Sequence, residues 1–353
     1  MDNLISQPIV IIGFSILVIF MLILDLGVFN KKSHVVSNKE ALIWSLVWIG
    51  ISLAFAGFIW LMTHETMGNE KASQFLTAYT IEKALSVDNL FVFILVFGFF
   101  NVPREYHHKV LFWGIIGALV MRAIFIFSGV GLINVTYIPK LSLGGFQFIL
   151  DPEGDEINYA AGEFFKINIV LTLFGLFLIY AGVKSWFVDD DDDGEKDFSK
   201  SPGARLVYKI FHTSQEFDKD KFFTIQDGIR KATPLLVVVG VIEFTDLLFA
   251  VDSIPAIFAV APNDPFILYT SNIFAILGLR SLYFLLANFI HMFSRLKYGL
   301  SIILAFIGVK MVIAPMYHIE SELSLLIVFG VLAISLLSSV WFPIKEENAE
   351  AIE

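Results

Sequence analysis

Three acidic residues lie inside an apolar segment of this chain that is long enough to cross a lipid bilayer. The segment covers residues 240–260 and contains Glu243, Asp246 and Asp252, together with Pro255. A carboxylate at the centre of a membrane span costs about 2.5–3.5 kcal/mol on insertion scales. Because three of them share one span, we expect these side chains to face a cavity or a partner and to have a function there.

The rest of the sequence predicts an all-α polytopic membrane protein. Hydrophobic residues make up 57% of the 353 residues and charged residues only 16%, which is not typical of a soluble domain. Apolar windows predict about nine membrane-spanning segments, which must be helical to satisfy their own backbone hydrogen bonds. They cover roughly residues 8–29, 41–62, 74–100, 110–133, 164–187, 234–260, 266–290, 298–315 and 323–343. No basic region precedes the first span, so no cleaved signal peptide is expected.

The distribution of lysine and arginine predicts the orientation in the membrane. Basic residues are concentrated in the short connections after the first, third, seventh and ninth spans, for example Lys31, Arg104 and Arg295. Basic loops stay on the cytoplasmic side, so we expect an external N-terminus and a cytoplasmic C-terminus. In this orientation residues 134–163 form an acidic external loop. Residues 188–232 form a charged cytoplasmic linker that opens with the aspartate run 189–193.

Two groups of three spans share a pattern of rare intramembrane charges, which indicates an internal repeat. The aligned pairs, first unit before second, are Glu82 and Asp246, Asp88 and Asp252, Asn89 and Ser253, Arg122 and Arg280, and Lys184 and Lys310. Because each unit has an odd number of spans, the second unit must be inverted relative to the first. Inverted repeats are typical of secondary transporters, whose binding site lies near the bilayer midplane.

The repeat divides the chain into five parts. Residues 1–73 contain the first two spans, and residues 74–187 form the first repeat unit. The linker 188–232 separates it from the second unit, residues 233–316, and residues 317–353 contain the final span and a cytoplasmic tail.

The polar side chains inside the spans predict a site for a hard divalent cation. The expected ligands are Asp25, Glu82, Asp88, Asn89, Glu243, Asp246, Asp252 and Ser253, with Arg122, Arg280, Lys184 and Lys310 as supporting charges. Carboxylate, amide and hydroxyl oxygens suit Mg²⁺, Ca²⁺ or Mn²⁺. The chain has no cysteine, and none of its seven histidines lies well inside a span, which argues against a zinc or copper pore. No permanently bound cofactor and no nucleic-acid partner is expected.

Helix geometry limits how the paired acids can share one site. Residues six apart on a regular helix differ by about 240° around the axis, so Asp88 does not lie above Glu82. One shared site therefore predicts a break in the helix near residues 86–89 and near residues 250–255. Pro255 favours a break in the second unit. The two arginines are expected to hold carboxylates in place.

These motifs resemble the TerC family of integral membrane proteins, and most closely its Alx-type manganese exporter branch. The resemblance is carried by residues 22–26, 81–89, 243–260 and 270–280, and it extends from about residue 19 to residue 340. It implies a metal-ion transporter in the bacterial cytoplasmic membrane, with Mn²⁺ export as the leading activity. It also supports the acids and their Asn or Ser neighbours as ion-pathway residues.

The sequence favours a transporter and leaves other functions open. The first prediction is a secondary transporter that exports Mn²⁺ in exchange for protons, and the alternative within transport is Ca²⁺ or a broader range of divalent ions. A different class is a membrane factor that metallates or assembles exported client proteins through the loop 134–163. An enzyme is not expected, since the spans contain no Ser/His, Cys/His or HExxH arrangement.

Overall fold

In its computed structural model, the protein is an array of long helices. The structure describes residues 12–14, 16–21, 23, 37–63, 68–136, 141–143, 146–148, 168–187, 197–226, 228–262, 264–289, 296–314, 317 and 319–341. The predicted site residue Asp25, the run 189–193 and the C-terminal tail beyond residue 341 lie outside these ranges.

Helices make up almost all of the described chain. In order they are α1 (Ile12–Met21), α2 (Asn38–Thr63), α3 (Gly68–Phe99), α4 (Arg104–Val135), α5 (Ile169–Phe187), α6 (Pro202–Ile210), α7 (Pro234–Phe258), α8 (Pro265–Leu277), α9 (Leu279–Phe289), α10 (Leu296–Ile313) and α11 (Ser321–Trp341). Two antiparallel hairpins join strands β1 (Leu141–Leu143) and β2 (Phe146–Phe148), and strands β3 (Phe223–Gln226) and β4 (Ile229–Ala232).

The helices confirm the prediction of an all-α membrane protein. Six of them are long and apolar enough to cross a bilayer, and the bent pair α8 and α9 raises the number to seven. Helix α3 is long enough as well, at 32 residues, but its charged residues make it less apolar. The prediction of nine spans, the inverted repeat and the orientation of the termini stay predictions.

Two expectations about helix continuity are corrected by the structure. Helix α3 runs without interruption through residues 86–89, and α7 continues through Pro255 to its end at Phe258. Pro255 cannot donate to the carbonyl four residues before it, but it lies in the last turn of α7 and only three helical residues follow it, so the helix ends shortly after this loss. Conversely, the predicted single span 266–290 is divided at Gly278 into α8 and α9, which meet at a bend of 41°.

Helices α5 and α10 pack backbone against backbone through glycines. A methyl group added at Gly182 of α5 would lie 2.6 Å from the Ser301 carbonyl oxygen of α10. A methyl group added at Gly308 of α10 would lie 2.6 Å from the Gly175 carbonyl oxygen of α5. The residue numbers rise along one helix as they fall along the other, so the two helices are antiparallel.

The two glycine contacts are reciprocal under the predicted repeat. The same added methyl groups would lie 2.8 Å from the Ala305 nitrogen and 2.8 Å from the Ile179 nitrogen, respectively. Aligning Gly182 with Gly308 also aligns Gly175 with Ser301 and Ile179 with Ala305. Such exchange of equivalent contacts is what a two-fold axis between the helices produces.

Substituting either glycine by alanine is expected to destabilise the protein by about 1–3 kcal/mol, because the added methyl group meets backbone atoms that cannot move aside. We expect Gly182→Ala and Gly308→Ala to lower the thermal unfolding temperature in detergent by similar amounts. The control is Gly57→Ala on α2, where an added methyl group has no atom within 4 Å. A large effect from one glycine and none from the other would contradict the reciprocal packing.

Part of the segment predicted as a charged linker is folded. Helix α6 crosses α7 where Gly203 meets the Gly240 carbonyl, and the β3–β4 hairpin follows it. Lys109 of α4 binds the Asp220 carboxylate at 3.0 Å, and this hydrogen bond holds the pKa of Asp220 below its usual value. This contact fixes the hairpin against the first turns of α4, an end of the bundle that we call the hairpin side.

Candidate functional site

A buried arginine brings four helices together near the middle of the bundle. Arg122 of α4 forms ion pairs with Glu82 of α3 and with Asp246 of α7, the latter at 3.4 Å. It also donates a hydrogen bond to Asn272 Oδ1 of α8 at 3.2 Å. All four residues, here called the Arg122 cluster, are at most 5% exposed. The structure thus brings together three side chains that the sequence predicted, and adds an amide that it did not.

The cluster has more negative than positive charge. Two carboxylates share one guanidinium, so one negative charge is without a counterion inside the cluster when both acids are ionised. Among the described residues, Glu82 Oε2 and Asp246 Oδ2 have no hydrogen-bond partner. A buried carboxylate oxygen without a partner is costly. Both atoms are therefore candidates to bind a proton or a cation.

Helix α3 carries a continuous buried polar stripe that starts at the cluster. Glu82, Ser86 and Asn89 are spaced by four and three residues, which places them on one helix face, and each is at most 4% exposed. On α7 the predicted repeat aligns these positions with Asp246, Ala250 and Ser253, of which Ser253 is 2% exposed. The hydroxyl groups of Ser86 and Ser253 have no partner within the described part of the chain. These oxygens extend the set of hard donors beyond the carboxylates.

The two aspartates that the repeat pairs are only partly described. The backbone at Asp88 and Asp252 is helical, and their side chains lie outside the described part of the structure. Within the described residues, no group of three or more histidine, cysteine or acidic side chains could hold a metal ion. The expectation that all the acids form one metal site therefore stays a prediction.

Glu243 lies on α7, the helix that contributes Asp246 to the cluster, but it approaches a different part of α4. Its carboxylate occupies the space that a side chain on Gly117 would fill. Glycine at this position therefore lets a half-buried acid reach the α4 backbone. Sequence reasoning proposed Glu243 and missed Gly117, because a glycine in a membrane span is common and carries no charge.

A small cavity lies beside Asp246. Its volume is about 10 Å³, close to the minimum for one water molecule. Buried residues line it, namely Phe93, Leu111, Gly114, Ile115, Ala118, Asp246, Leu279 and Arg280. Arg280, predicted as a supporting charge, thus lines the same cavity as Asp246 and is itself 2% exposed.

The other predicted cations lie away from the Arg122 cluster. Lys310 is buried and donates a hydrogen bond to Ser324 of α11 at 2.6 Å. Lys184 is exposed at the end of α5 and lies 5.8 Å from the centre of the Tyr180 ring. Neither forms an ion pair with an acid in the described ranges, so their expected role as charge partners is not seen there.

Sequence reasoning missed a half-buried cation next to Glu82, namely Lys83. Lys83 donates a hydrogen bond to the Ala275 carbonyl at 3.2 Å, and its ammonium group lies beside Gly278, where α8 ends. A cation at a helix C-terminus is stabilised by the helix dipole. Lys83 therefore holds the bend between α8 and α9, and its presence in an apolar span was the signal that could have identified it.

The comparisons with known proteins agree with the membrane fold. The model of the family described as "Integral membrane protein TerC family" matches residues 67–347. A Myxococcus xanthus protein named "Uncharacterized membrane protein STKORF319" is 42% identical over 96% of this chain and 92% of its own length.

Proteins named "Putative membrane-bound redox modulator Alx" are similar to the chain along its whole length. The one from Salmonella typhi is 40% identical over 96% of both chains, and the one from Escherichia coli strain K12 is 39% identical over 98% of both chains. No solved structure matches the chain.

Proposed function

This chain belongs to the TerC family of integral membrane proteins, and we propose that it is a secondary transporter that exports divalent metal ions, above all Mn²⁺, in exchange for protons. The observation that carries the proposal is that two buried carboxyl groups share one arginine in the Arg122 cluster. Glu82 and Asp246 are both buried, and a single arginine is between them. Acids of this kind inside a membrane mark ion and proton pathways.

The ligand types favour Mn²⁺ among the divalent ions. The buried stripe of α3 and the equivalent positions of α7 offer carboxylate, hydroxyl and amide oxygens, which bind hard cations. Mg²⁺ gives up its water shell reluctantly, so a dehydrating site favours Mn²⁺ over it. We propose that Asp88 and Asp252 bind the ion together with Asn89 and Ser253, while Glu82 and Asp246, about 240° away from the two aspartates around the same helices, stay paired with Arg122.

The proposed architecture is two inverted units of three spans in the bacterial cytoplasmic membrane. Two observations support it. The contacts of Gly182 and Gly308 are equal and reciprocal, and α5 and α10, which are equivalent helices, are antiparallel. The proposed orientation has the hairpin side in the cytoplasm, as the positive-inside rule requires. Alternating access would then be movement of one unit against the other around the acids.

The name of the Alx relatives points to a redox role, which in proteins is often carried by cysteine thiols. The sequence contains no cysteine. Thiol–disulfide exchange on this sequence therefore has no residue to carry it. The buried carboxylates suit ion movement directly.

The function is tested by ion flux in liposomes that contain only the purified protein and a pH-sensitive dye. We expect Mn²⁺ transport coupled to proton movement in the opposite direction. We expect slower transport of Zn²⁺, since the chain has no cysteine and the described residues of the Arg122 cluster and its polar stripe include no histidine. Ca²⁺ and Mg²⁺ are measured in parallel to distinguish a broad divalent transporter. A cysteine introduced into residues 197–226 reports, by impermeant labelling, the fraction of protein in each orientation.

Two results would contradict the proposal. Zn²⁺ flux equal to Mn²⁺ flux would contradict the ligand argument. Absence of any flux from the purified protein, with activity regained only when an exported client protein is present, would favour the metal-handover factor.

A further inference from the structure

Helix α6 leaves an apolar part of its surface uncovered on the hairpin side of the bundle. Gly203 and Val207, four residues apart, are buried and form the face that packs against α7 at Gly240. Leu206 and Ile210 are also four residues apart, and they are 58% and 61% exposed. In a globular protein an apolar strip of this kind faces the core. The strip of Leu206 and Ile210 is therefore suited to an apolar environment outside the protein.

A second exposed strip of α6 is basic. Arg205 and Lys209 are exposed and lie four residues apart on one side of the helix. Neither forms an ion pair with an acid in the described part of the chain. The acid that precedes α6, Asp197, is paired with Lys200 at 2.7 Å. The positive charge of the strip is thus uncompensated by its described neighbours and complements an anionic partner.

The strips follow one another around α6 in a definite order. Steps of 100° per residue place the apolar strip of Leu206 and Ile210 between the packed face and the basic strip. An interfacial helix has this arrangement, because its apolar side chains enter the acyl region of a bilayer while basic side chains reach the phosphate level. Helix α6 has this arrangement within nine residues.

The position of α6 along the membrane helices matches the depth of a bilayer surface. Gly240 lies six residues after the start of α7 at Pro234, a rise of about 9 Å. Interfacial helices lie about 5–10 Å into the boundary between headgroups and acyl chains. Phe198, just before α6, contacts Phe99, the last residue of α3, with ring centres 5.6 Å apart. Helix α6 therefore lies where one membrane helix ends and another begins.

The same combination of apolar and basic side chains continues into the β3–β4 hairpin. Phe211, directly after α6, contacts Phe223 of β3 with ring centres 5.3 Å apart. The Arg230 guanidinium of β4 lies 4.2 Å from the centre of the Phe223 ring. Ile225 is on the same face of β3 as Phe223 and is 77% exposed. The hairpin thus extends the exposed surface of α6.

We propose that α6 and the β3–β4 hairpin form a binding surface for anionic phospholipid headgroups. Leu206 and Ile210 enter the acyl region, and Arg205 and Lys209 bind the phosphates. A second copy of the chain fits this surface less well, because a two-fold contact through the same strip would bring like charges together. The inference goes beyond the proposed transport of metal ions, and it depends on neither the transported ion nor the orientation of the chain.

The test places a fluorescent reporter on the apolar strip of the full-length protein. The chain has no cysteine, so Leu206→Cys labelled with bimane gives a single reporter. The labelled protein is reconstituted in phosphatidylcholine vesicles that contain increasing fractions of acyl-brominated phosphatidylglycerol or acyl-brominated phosphatidylcholine. Bromine quenches the reporter on contact, so the two titrations compare the two headgroups at one position. We expect phosphatidylglycerol to be favoured by about fivefold or more, the effect of one basic residue near an anionic surface.

A charge variant and a matched control identify the residues responsible. Arg205→Gln combined with Lys209→Gln should lower the preference for phosphatidylglycerol to about one, while quenching by brominated phosphatidylcholine remains. The control is Lys200→Gln combined with Lys221→Gln, which removes the same charge from two exposed lysines of the same segment that are paired with acids at 2.7 and 3.1 Å. It should keep the preference.

Three results would overturn the lipid surface. They are equal quenching by the two lipids, an unchanged preference in Arg205→Gln combined with Lys209→Gln, and no quenching by either lipid. The last would leave the strip to a second copy of the chain or to the aspartate run 189–193.

A salt series decides the case in which the double variant does not fold. The preference of the protein with both basic residues should fall between about 0.1 M and about 1 M salt, because the screening length falls from about 10 Å to about 3 Å. A preference that does not change with salt would contradict the proposal. No ion flux is measured in these experiments, so failure of the proposed transport function would not alter their outcome.

Discussion

Replacing Arg122 with methionine is expected to lower the free energy of unfolding by about 3–5 kcal/mol, the cost of breaking a buried ion pair from one side. The reason is that Glu82 and Asp246 would remain buried without the cation that both of them contact. Methionine fills much of the volume of arginine, so lost packing contributes little. The measurement is the thermal unfolding temperature and the monodisperse fraction of the protein in detergent.

Two further variants separate charge from packing at Arg122. Lys184→Met is the control, because Lys184 is a basic residue in a span whose side chain is exposed; we expect a change within about 0.5 kcal/mol. Adding Glu82→Gln and Asp246→Asn to Arg122→Met removes the uncompensated charges and should restore much of the stability, since neutral replacement of a whole buried ion pair is often tolerated. Arg122→Met as stable as Lys184→Met would show that the cluster does not hold the four helices together.

Asp88→Asn and Asp252→Asn are each expected to reduce Mn²⁺ export by at least about 100-fold, because ligand charge count sets the affinity of a hard-cation site. Position 88 follows Glu82 by six residues on a continuous helix, which separates the two positions by about 240° around the axis. The same spacing relates Asp252 to Asp246. Neutralising either aspartate should therefore leave the ion pairs of Arg122 intact, so we expect lost transport with an unchanged unfolding temperature.

The double variant tests whether both aspartates bind one ion. Residues that act as a unit are non-additive, so Asp88→Asn combined with Asp252→Asn should be no worse than either alone. Glu322→Gln, an exposed acid in the first turn of α11, is the control for charge removal. Export that survives in either single variant at normal protein level would refute the shared site.

The charged part of the site could be predicted from the sequence because charges in apolar spans are rare. Glu82, Asp246 and Arg122 were selected on this ground, and the structure brings them into contact. Their mutual pairing across α3, α4 and α7 could not be predicted, since spacing along one helix does not tell which other helix it meets. Asn272 and Gly117 were missed for a different reason. Asn272 contributes a hydrogen bond to Arg122, and Gly117 contributes the absence of a side chain. Both effects depend on the neighbouring helix.

The predicted breaks show where local rules mislead. Proline inside an apolar run favours a kink, yet Pro255 lies so close to the end of α7 that the helix needs no break to accommodate it. The real bend is at Gly278, in a run with no proline, where Lys83 from α3 reaches the end of α8. That bend coincides with a contact from another helix, which a single segment of sequence does not contain.

The antiparallel contact between α5 and α10 has a consequence for how the protein is made. Helix α5 is synthesised and inserted well before α10. Only 17% of its apolar membrane-spanning stretch is buried in the folded protein. Its glycine-lined face therefore lacks the backbone that it finally contacts until α10 has been synthesised and inserted. Helix α5 reaches its final packing only late in the synthesis of the chain.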